Sequence, residues 1–245
     1  MKVIILAAGR GSRLGERTAN LPKCMCELCG RTLLDRCLES LENGGIRRDE
    51  IAVVTGYKSE LIKIEGAKYF HNSDWEITNM FMSLTKASEW LEKEPCIVCY
   101  SDVVFSPEVI KRIVKMTESL VVPYFTGYWE LWSMRMPNPL DDLETFKLNT
   151  DGKLIEIGLR PENREDIQGQ YMGIIKFTPE SWAAALKTIK HPLPKTVARL
   201  DMTTLLNAMI KDNNEIATFP NDEMWLECDT GEDIEFYEKE FADKL

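Results

Sequence analysis

Residues 9–23 place three glycines (Gly9, Gly11, Gly15) among four cations (Arg10, Arg13, Arg17, Lys23). Glycines let backbone N–H groups come close to a ligand, and guanidinium and ammonium groups match phosphate oxygens. Directly before them, residues 3–7 form a continuous apolar run rich in β-branched side chains, the pattern of a strand buried on both faces. A basic, glycine-rich loop at the carboxyl end of such a strand is where open α/β sheets bind nucleotides. The loop is neither of the two commonest kinds. Leu14 stands where the Rossmann pattern needs its third glycine, and no Gly-Lys-Ser/Thr follows to make a Walker A motif.

With Pro22-Lys23 added, the run Leu6-Ala7-Ala8-Gly9-Arg10-Gly11-Ser12-Arg13 resembles a known signature. It is the L-A-A-G-x-G-S/T-R…P-K of the nucleotidyltransferase superfamily that activates sugar phosphates, phosphocholine and phosphonates. The resemblance implies nucleotide contacts from Leu6, Ala7, Ala8, Gly9, Gly11 and Ser12, and from Gly56, Tyr57 and Ser101 at later strand ends. It assigns catalytic charge neutralisation on a triphosphate to Arg13 and Lys23. Arg10 and Arg17 are either further phosphate contacts or solvated charges.

Nucleotidyl transfer is an in-line displacement at the α-phosphate, and the protein must hold the triphosphate and its Mg²⁺. Asp102 follows an apolar strand in Cys99-Tyr100-Ser101-Asp102, and Asp229 follows another in Glu227-Cys228-Asp229. An aspartate at a strand end is, by itself, more often a helix cap or loop residue. The choline-phosphate cytidylyltransferases are similar at both places, which implies Asp102 and Asp229 as magnesium ligands. Ser101-Asp102-Val103-Val104 departs from the D-x-D of many glycosyltransferases.

The stretch Thr78-Asn79-Met80-Phe81-Met82-Ser83-Leu84 resembles the T-N-x-x-x-S-L of cytidylyltransferases that handle phosphocholine and phosphonates; sugar-phosphate members have a glycine-rich stretch instead. That implies pyrimidine or ribose contacts from Thr78, Asn79 and Ser83, against the simpler reading that Thr78 or Asn79 caps a helix. For the acceptor, Trp129, Trp132, Asp201 and Glu227 supply aromatic faces and carboxylates that attract an ammonium group. Tyr171 lies in a stretch similar to phosphonate enzymes, and Arg135 or Arg160 is a partner for a phosphonate. The alternative is that the tryptophans are core and the charges surface. The activity implied is CTP plus a small phosphonate, such as 2-aminoethylphosphonate, or phosphocholine, giving a CMP conjugate and pyrophosphate. The rivals are a sugar-1-phosphate nucleotidyltransferase and a nucleotide-binding subunit without turnover.

The elements that must position these residues alternate. Strands at 3–7, 51–55, 67–71 and 96–100 are separated by helical patterns at 32–43 and 77–91, and a helix follows at 106–116. That order predicts a parallel sheet with right-handed crossovers. Beyond residue 120 the reading is strands at 120–122, 145–148, 154–157, 171–177, 216–219 and 225–228. Helices are expected at 179–189, 199–211 and 231–241. The fold expected is a Rossmann-like three-layer α/β/α with a mixed, mainly parallel sheet. One domain spans 1–245, with a nucleotide-binding half at 1–118 and an acceptor half at 119–245.

Formal net charge is −10 over 245 residues, so nonspecific binding to nucleic acid or anionic lipid is disfavoured. No apolar run approaches the ~18 residues of a membrane span, and no signal-like core is present, so a cytoplasmic monomer or homodimer is expected. The seven cysteines include a C-x-C-x-x-C at residues 24–29. No His or second Cys pair lies at zinc spacing, so reduced, packed thiols are the expectation.

Overall fold

The computed structural model describes all 245 residues. Eight strands build the central sheet: β1 (Lys2–Ala7), β2 (Ile51–Thr55), β3 (Lys68–His71), β4 (Cys96–Tyr100), β5 (Leu120–Phe125), β6 (Gln170–Tyr171), β7 (Ile174–Phe177) and β8 (Ala217–Asn221). Their order is β8-β5-β7-β4-β1-β2-β3, with β6 pairing the end of β5 on the same edge as β7. Only β6 and β7 run antiparallel to their neighbours. The sheet is therefore mixed and mainly parallel, as the alternation of patterns predicts.

Alternation along β1 decides the layers, because successive side chains point to opposite faces. Val3, Ile5 and Ala7 enter one core with α1 (Leu33–Asn43), α4 (Pro107–Lys115), α5 (Tyr128–Arg135) and α8 (Gly231–Phe241). Ile4 and Leu6 enter the other with α2 (Met80–Thr85), α3 (Ser88–Leu91), α6 (Pro179–Thr188) and α7 (Met202–Lys211). The helices begin where caps allow. Thr32 accepts from the Asp35 N–H at 3.0 Å, and Ser106 accepts from Glu108 with Pro107 at the first turn. No helix is long and apolar enough to cross a membrane.

Four expectations shift. The helix read at 77–91 is two short ones, α2 and α3, because Asn79 caps only at Met80 and the Thr85 and Ser88 hydroxyls bond the preceding turn. The strand read at 171–177 breaks between β6 and β7 at Gly173, whose φ of 70° leaves the β region. Strands Phe146–Leu148 and Leu154–Ile157 form a separate antiparallel hairpin outside the central sheet. Helix α5 lies in a stretch read only for its aromatic and charged residues, yet Tyr128, Leu131 and Trp132 are its buried face at helical spacing. All seven cysteines are free thiols, six of them buried.

Candidate active site

The chain leaves β1 toward β2 and β3 on one side and returns to β4 on the other. The carboxyl ends of β1 and β4 thus flank the switch point, where open sheets hold ligands. The glycine-rich loop leaves β1 there, and Asp102 follows β4. Asp229 is brought to the same edge by a short ladder. Strand Trp225–Glu227 pairs antiparallel with Val103–Phe105, and the Cys228 N–H donates to the Asp102 carbonyl at 3.0 Å.

The loop, Asp102 and Asp229 meet at Lys23. Its ammonium bonds the Asp102 carboxylate and lies 2.5 Å from Asp229 Oδ1. Arg13 Nη2 reaches the same Asp229 oxygen at 3.0 Å. Burial pushes the Lys23 ammonium pKa down, but the two aspartates outweigh it and hold the group above the ordinary lysine value. Burial pushes the Asp229 carboxyl up, and Lys23, Arg13 and Arg135 overcome that and hold it below the ordinary aspartate range. Lys23 is thus a fixed cation and Asp229 a fixed anion at neutral pH. Glu227 is the opposite case: burial first, then Asp229 and Asp102, push its carboxyl well above the usual range.

Gly11 makes this arrangement possible. Its φ is 74°, and a Cβ there would fall 2.7 Å from Lys23 Cβ. Gly11→Ala is therefore expected to strain the backbone by about 1–2 kcal/mol and to push Lys23 off its carboxylates. The expected outcome is a kcat at least about tenfold lower with the fold intact, since ~1.4 kcal/mol of misplacement suffices. Steady-state kinetics and a thermal melt check it; wild-type kcat would show that the loop does not constrain Lys23.

A cleft of ≈ 220 Å³ runs along this edge and is lined by Leu6, Ala8, Gly9, Arg13, Lys23, Asn79, Met80, Tyr100, Ser101, Asp102, Glu227 and Asp229. It continues into a second cleft of ≈ 310 Å³, which shares Arg13, Asn79, Met80, Tyr100, Glu227 and Asp229 with it. The second adds Trp132, Asp142, Glu144, Gln170, Tyr171, Asp201 and Thr203. Five acidic side chains (Asp142, Glu144, Asp201, Glu227, Asp229) thus face this second space, whose lining holds a single cation, Arg13. Burial, reinforced by Asp201 and Asp142 and partly offset by a Thr203 hydrogen bond, raises the Glu144 pKa.

Several expected contacts fall elsewhere. Ala7 ends β1, Gly11 and Ser12 lie in the loop, and none of the three lines the clefts. Tyr57 braces the loop instead: its N–H donates to the Ala8 carbonyl at 3.0 Å and its hydroxyl to Ala19 at 2.7 Å. Gly56 leaves room for that approach, since a Cβ would meet the Ala8 carbonyl at 2.6 Å. Thr78 and Ser83 do not line the clefts either; both oxygens accept from Nδ2 of the fully buried Asn72, each at 3.0 Å. Of the three residues read for the base or ribose only Asn79 reaches the cleft, while its own oxygen caps α2.

On the acceptor side, Tyr171, Asp201 and Glu227 line the second cleft. Asp201 caps α7 with one oxygen at 2.8 Å from the Thr204 N–H and holds Lys195 with the other. Trp129 does not line it and has Arg164 stacked 4.6 Å over its ring. Arg135 is turned away, buried in an ion pair with Asp233. Arg160 lies outside both clefts. Trp132 edges the second cleft with its Nε1 donating to Asp142 at 2.8 Å, but it is 1% exposed, with Trp225 stacked on its ring and Arg135 4.6 Å from the ring centre, so its faces belong to the core. Asp142, Glu144, Gln170 and Thr203 were not singled out from the sequence, although Gln170 stands directly before Tyr171.

Mg²⁺ prefers oxygen ligands and takes one or two carboxylates, completing its shell with water and substrate phosphates. Asp102 and Asp229, converging on one ammonium at the mouth of a polar cleft, fit that requirement. No group of three or more His, Cys, Asp or Glu is arranged to hold a metal by itself. Any metal here would therefore depend on the phosphates of its nucleotide.

Residues 3–217 match the family model for the MobA-like NTP transferase domain. A CTP:phosphoglutamine cytidylyltransferase from Campylobacter jejuni is 33% identical over 252 residues, covering 96% of this chain and 98% of that protein. A CMP-5'-(3-aminopropyl)phosphonate synthase from Streptomyces rubellomurinus is 32% identical over 130 residues, 50% of this chain and 20% of that protein. The inositol-1-phosphate CTP transferase from T. maritima superposes with a TM-score of 0.75 at 18% identity, over 98% of this chain and 96% of that one, a likeness of fold. Matched to the family over residues 3–217 and related along nearly its whole length to a cytidylyltransferase, this chain is a nucleotidyltransferase of the MobA-like NTP transferase family.

Proposed function

We propose that the protein transfers CMP from CTP to a small acceptor bearing both a phosphate or phosphonate and an ammonium group. The observation that carries this reading is the continuity of the two clefts. A cationic edge of Arg13 and Lys23 opens directly onto a space bounded by Asp142, Glu144, Asp201 and Glu227. Acidic side chains attract a cation. The relatives lend support, since phosphoglutamine and 3-aminopropylphosphonate each pair an amine with a phosphorus oxyanion. On this reading residues 1–118 supply most nucleotide contacts and 119–245 most acceptor contacts.

The acceptor's P–O⁻ oxygen attacks the α-phosphorus while the bond to the β-phosphate oxygen breaks, and pyrophosphate leaves. That oxygen is already ionised near neutral pH, so no strong base is needed and positioning with charge neutralisation does most of the work. Gly9 borders the cleft with open space where a Cβ would be, which leaves its backbone free to approach phosphate. Arg13 and Lys23 offset the charge on the leaving group, and Asn79 and Met80 border the space for base and ribose. Asp102 and Asp229 would hold Mg²⁺, which when bound would supply further neutralisation of the phosphates.

The test is pyrophosphate release from CTP, ATP, GTP and UTP with five acceptors: phosphoglutamine, 2-aminoethylphosphonate, phosphocholine, phosphonoformate and glucose-1-phosphate. CTP with an amine-bearing acceptor is expected to give the highest kcat/KM. Preference for the purely anionic phosphonoformate would remove the ammonium pocket, and preference for glucose-1-phosphate would favour sugar activation.

A further inference from the structure

We propose that Arg135 is a positioning residue for Asp229, acting through Asp233. The proposal rests on the reading of Asp229 as the carboxylate that serves the phosphates and their metal. Arg135 ends helix α5 with its side chain 6% exposed. Its Nε and Nη2 donate to Asp233 Oδ1 at 3.1 and 2.7 Å. The other oxygen of Asp233 accepts from the backbone N–H groups of Asp229 at 3.0 Å and Thr230 at 2.8 Å. One buried guanidinium is thereby linked, through one carboxylate, to the main chain of the residue that meets Lys23 and Arg13.

The guanidinium is itself held flat. It lies 4.6 Å from the Trp132 ring centre and 5.7 Å from that of Tyr237, and the Tyr237 hydroxyl donates to the Glu227 carbonyl at 3.2 Å. A buried ion pair contributes little net stability once desolvation is counted, though removing one partner leaves the other charge uncompensated. A planar fork stacked on aromatic rings fixes direction in a way an ammonium cannot. Helix α5 thus holds both ends of the site. Trp132 bonds Asp142 in the acceptor cleft, and Arg135, one turn on, holds the loop of Asp229.

The experiment uses the intact chain with Arg135→Lys and Asp233→Asn. Binding of Mn²⁺ with CTP is followed by water-proton relaxation, alongside kcat and KM for the best acceptor of the panel. Partners that orient a metal-binding carboxylate typically affect metal affinity about 10–100-fold. Both variants are expected to bind Mn²⁺·CTP at least about tenfold more weakly, with acceptor KM within about twofold of wild type. A role confined to folding would lower the melting temperature and leave those two measurements in step. Unchanged Mn²⁺·CTP affinity in the folded variants overturns the proposal, as does a raised acceptor KM with unchanged affinity, which would return Arg135 to the acceptor. If Arg135→Lys does not fold, Asp233→Asn carries the same test. Absence of Mn²⁺·CTP binding by the wild type would instead overturn the metal reading of Asp102 and Asp229.

Discussion

Asp229→Asn is expected to lower kcat on the order of a thousandfold, about 4 kcal/mol of transition-state stabilisation. One oxygen of this side chain meets both Lys23 and Arg13, so the substitution removes the anion that aligns the two cations as well as a proposed metal ligand. CTP alone should still bind, because the loop and the cationic edge remain, while Mn²⁺·CTP should bind at least about tenfold more weakly because a carboxylate proposed to hold the metal is gone. Stability should respond to pH in a definite direction. The folded Asp229 carboxyl is held below its ordinary range, so its contribution is full above the unfolded value and is lost as pH falls through the folded one. The Asn variant should therefore melt below wild type at neutral pH, and the gap should close in acid. Kinetics with melts from neutral to acidic pH check both parts. A variant with ordinary Mg²⁺-dependent turnover would remove Asp229 from the mechanism.

Lys23→Met is expected to lower kcat about a hundredfold or more, with a smaller rise in KM for CTP. The ammonium faces charge that grows as pyrophosphate departs, so most of its effect belongs to the transition state. The substitution also takes from Asp229 the cation that does most to hold its carboxyl ionised, which raises the proton affinity of that carboxylate. The activity of the variant should therefore shift to higher pH than that of wild type. The pH profile of kcat/KM reads this directly. If kcat stays above about a tenth of wild type, Lys23 is a structural tie between two loops and no more.

Residues close in the chain were legible as a site because their spacing alone brings them together. The run from Leu6 to Lys23 needs only one strand and one loop to present glycine backbone and cations at the same edge. The layers were legible too, since a run buried on both faces between two helical patterns has few ways to pack. Side chains whose partners come from distant segments were not legible. Thr78 and Ser83 carry groups suited to a base, yet a buried Asn72 claims both. Arg135 carries a group suited to a phosphonate, yet Asp233 from the last helix claims it.

The sequence by itself therefore determined the phosphate loop, the class of fold and the strand ends at which Asp102 and Asp229 stand. Local spacing and periodicity are sufficient for those. Only the tertiary structure decided that both aspartates converge on one lysine, through the ladder between Val103–Phe105 and Trp225–Glu227. It also decided that Trp132 rather than Trp129 edges the acceptor cleft, and that Asp142 and Glu144 join Asp201 and Glu227 there. The physical reason is the same in each case. A polar side chain of given chemistry has many acceptable partners, and which one it meets depends on how separate elements pack.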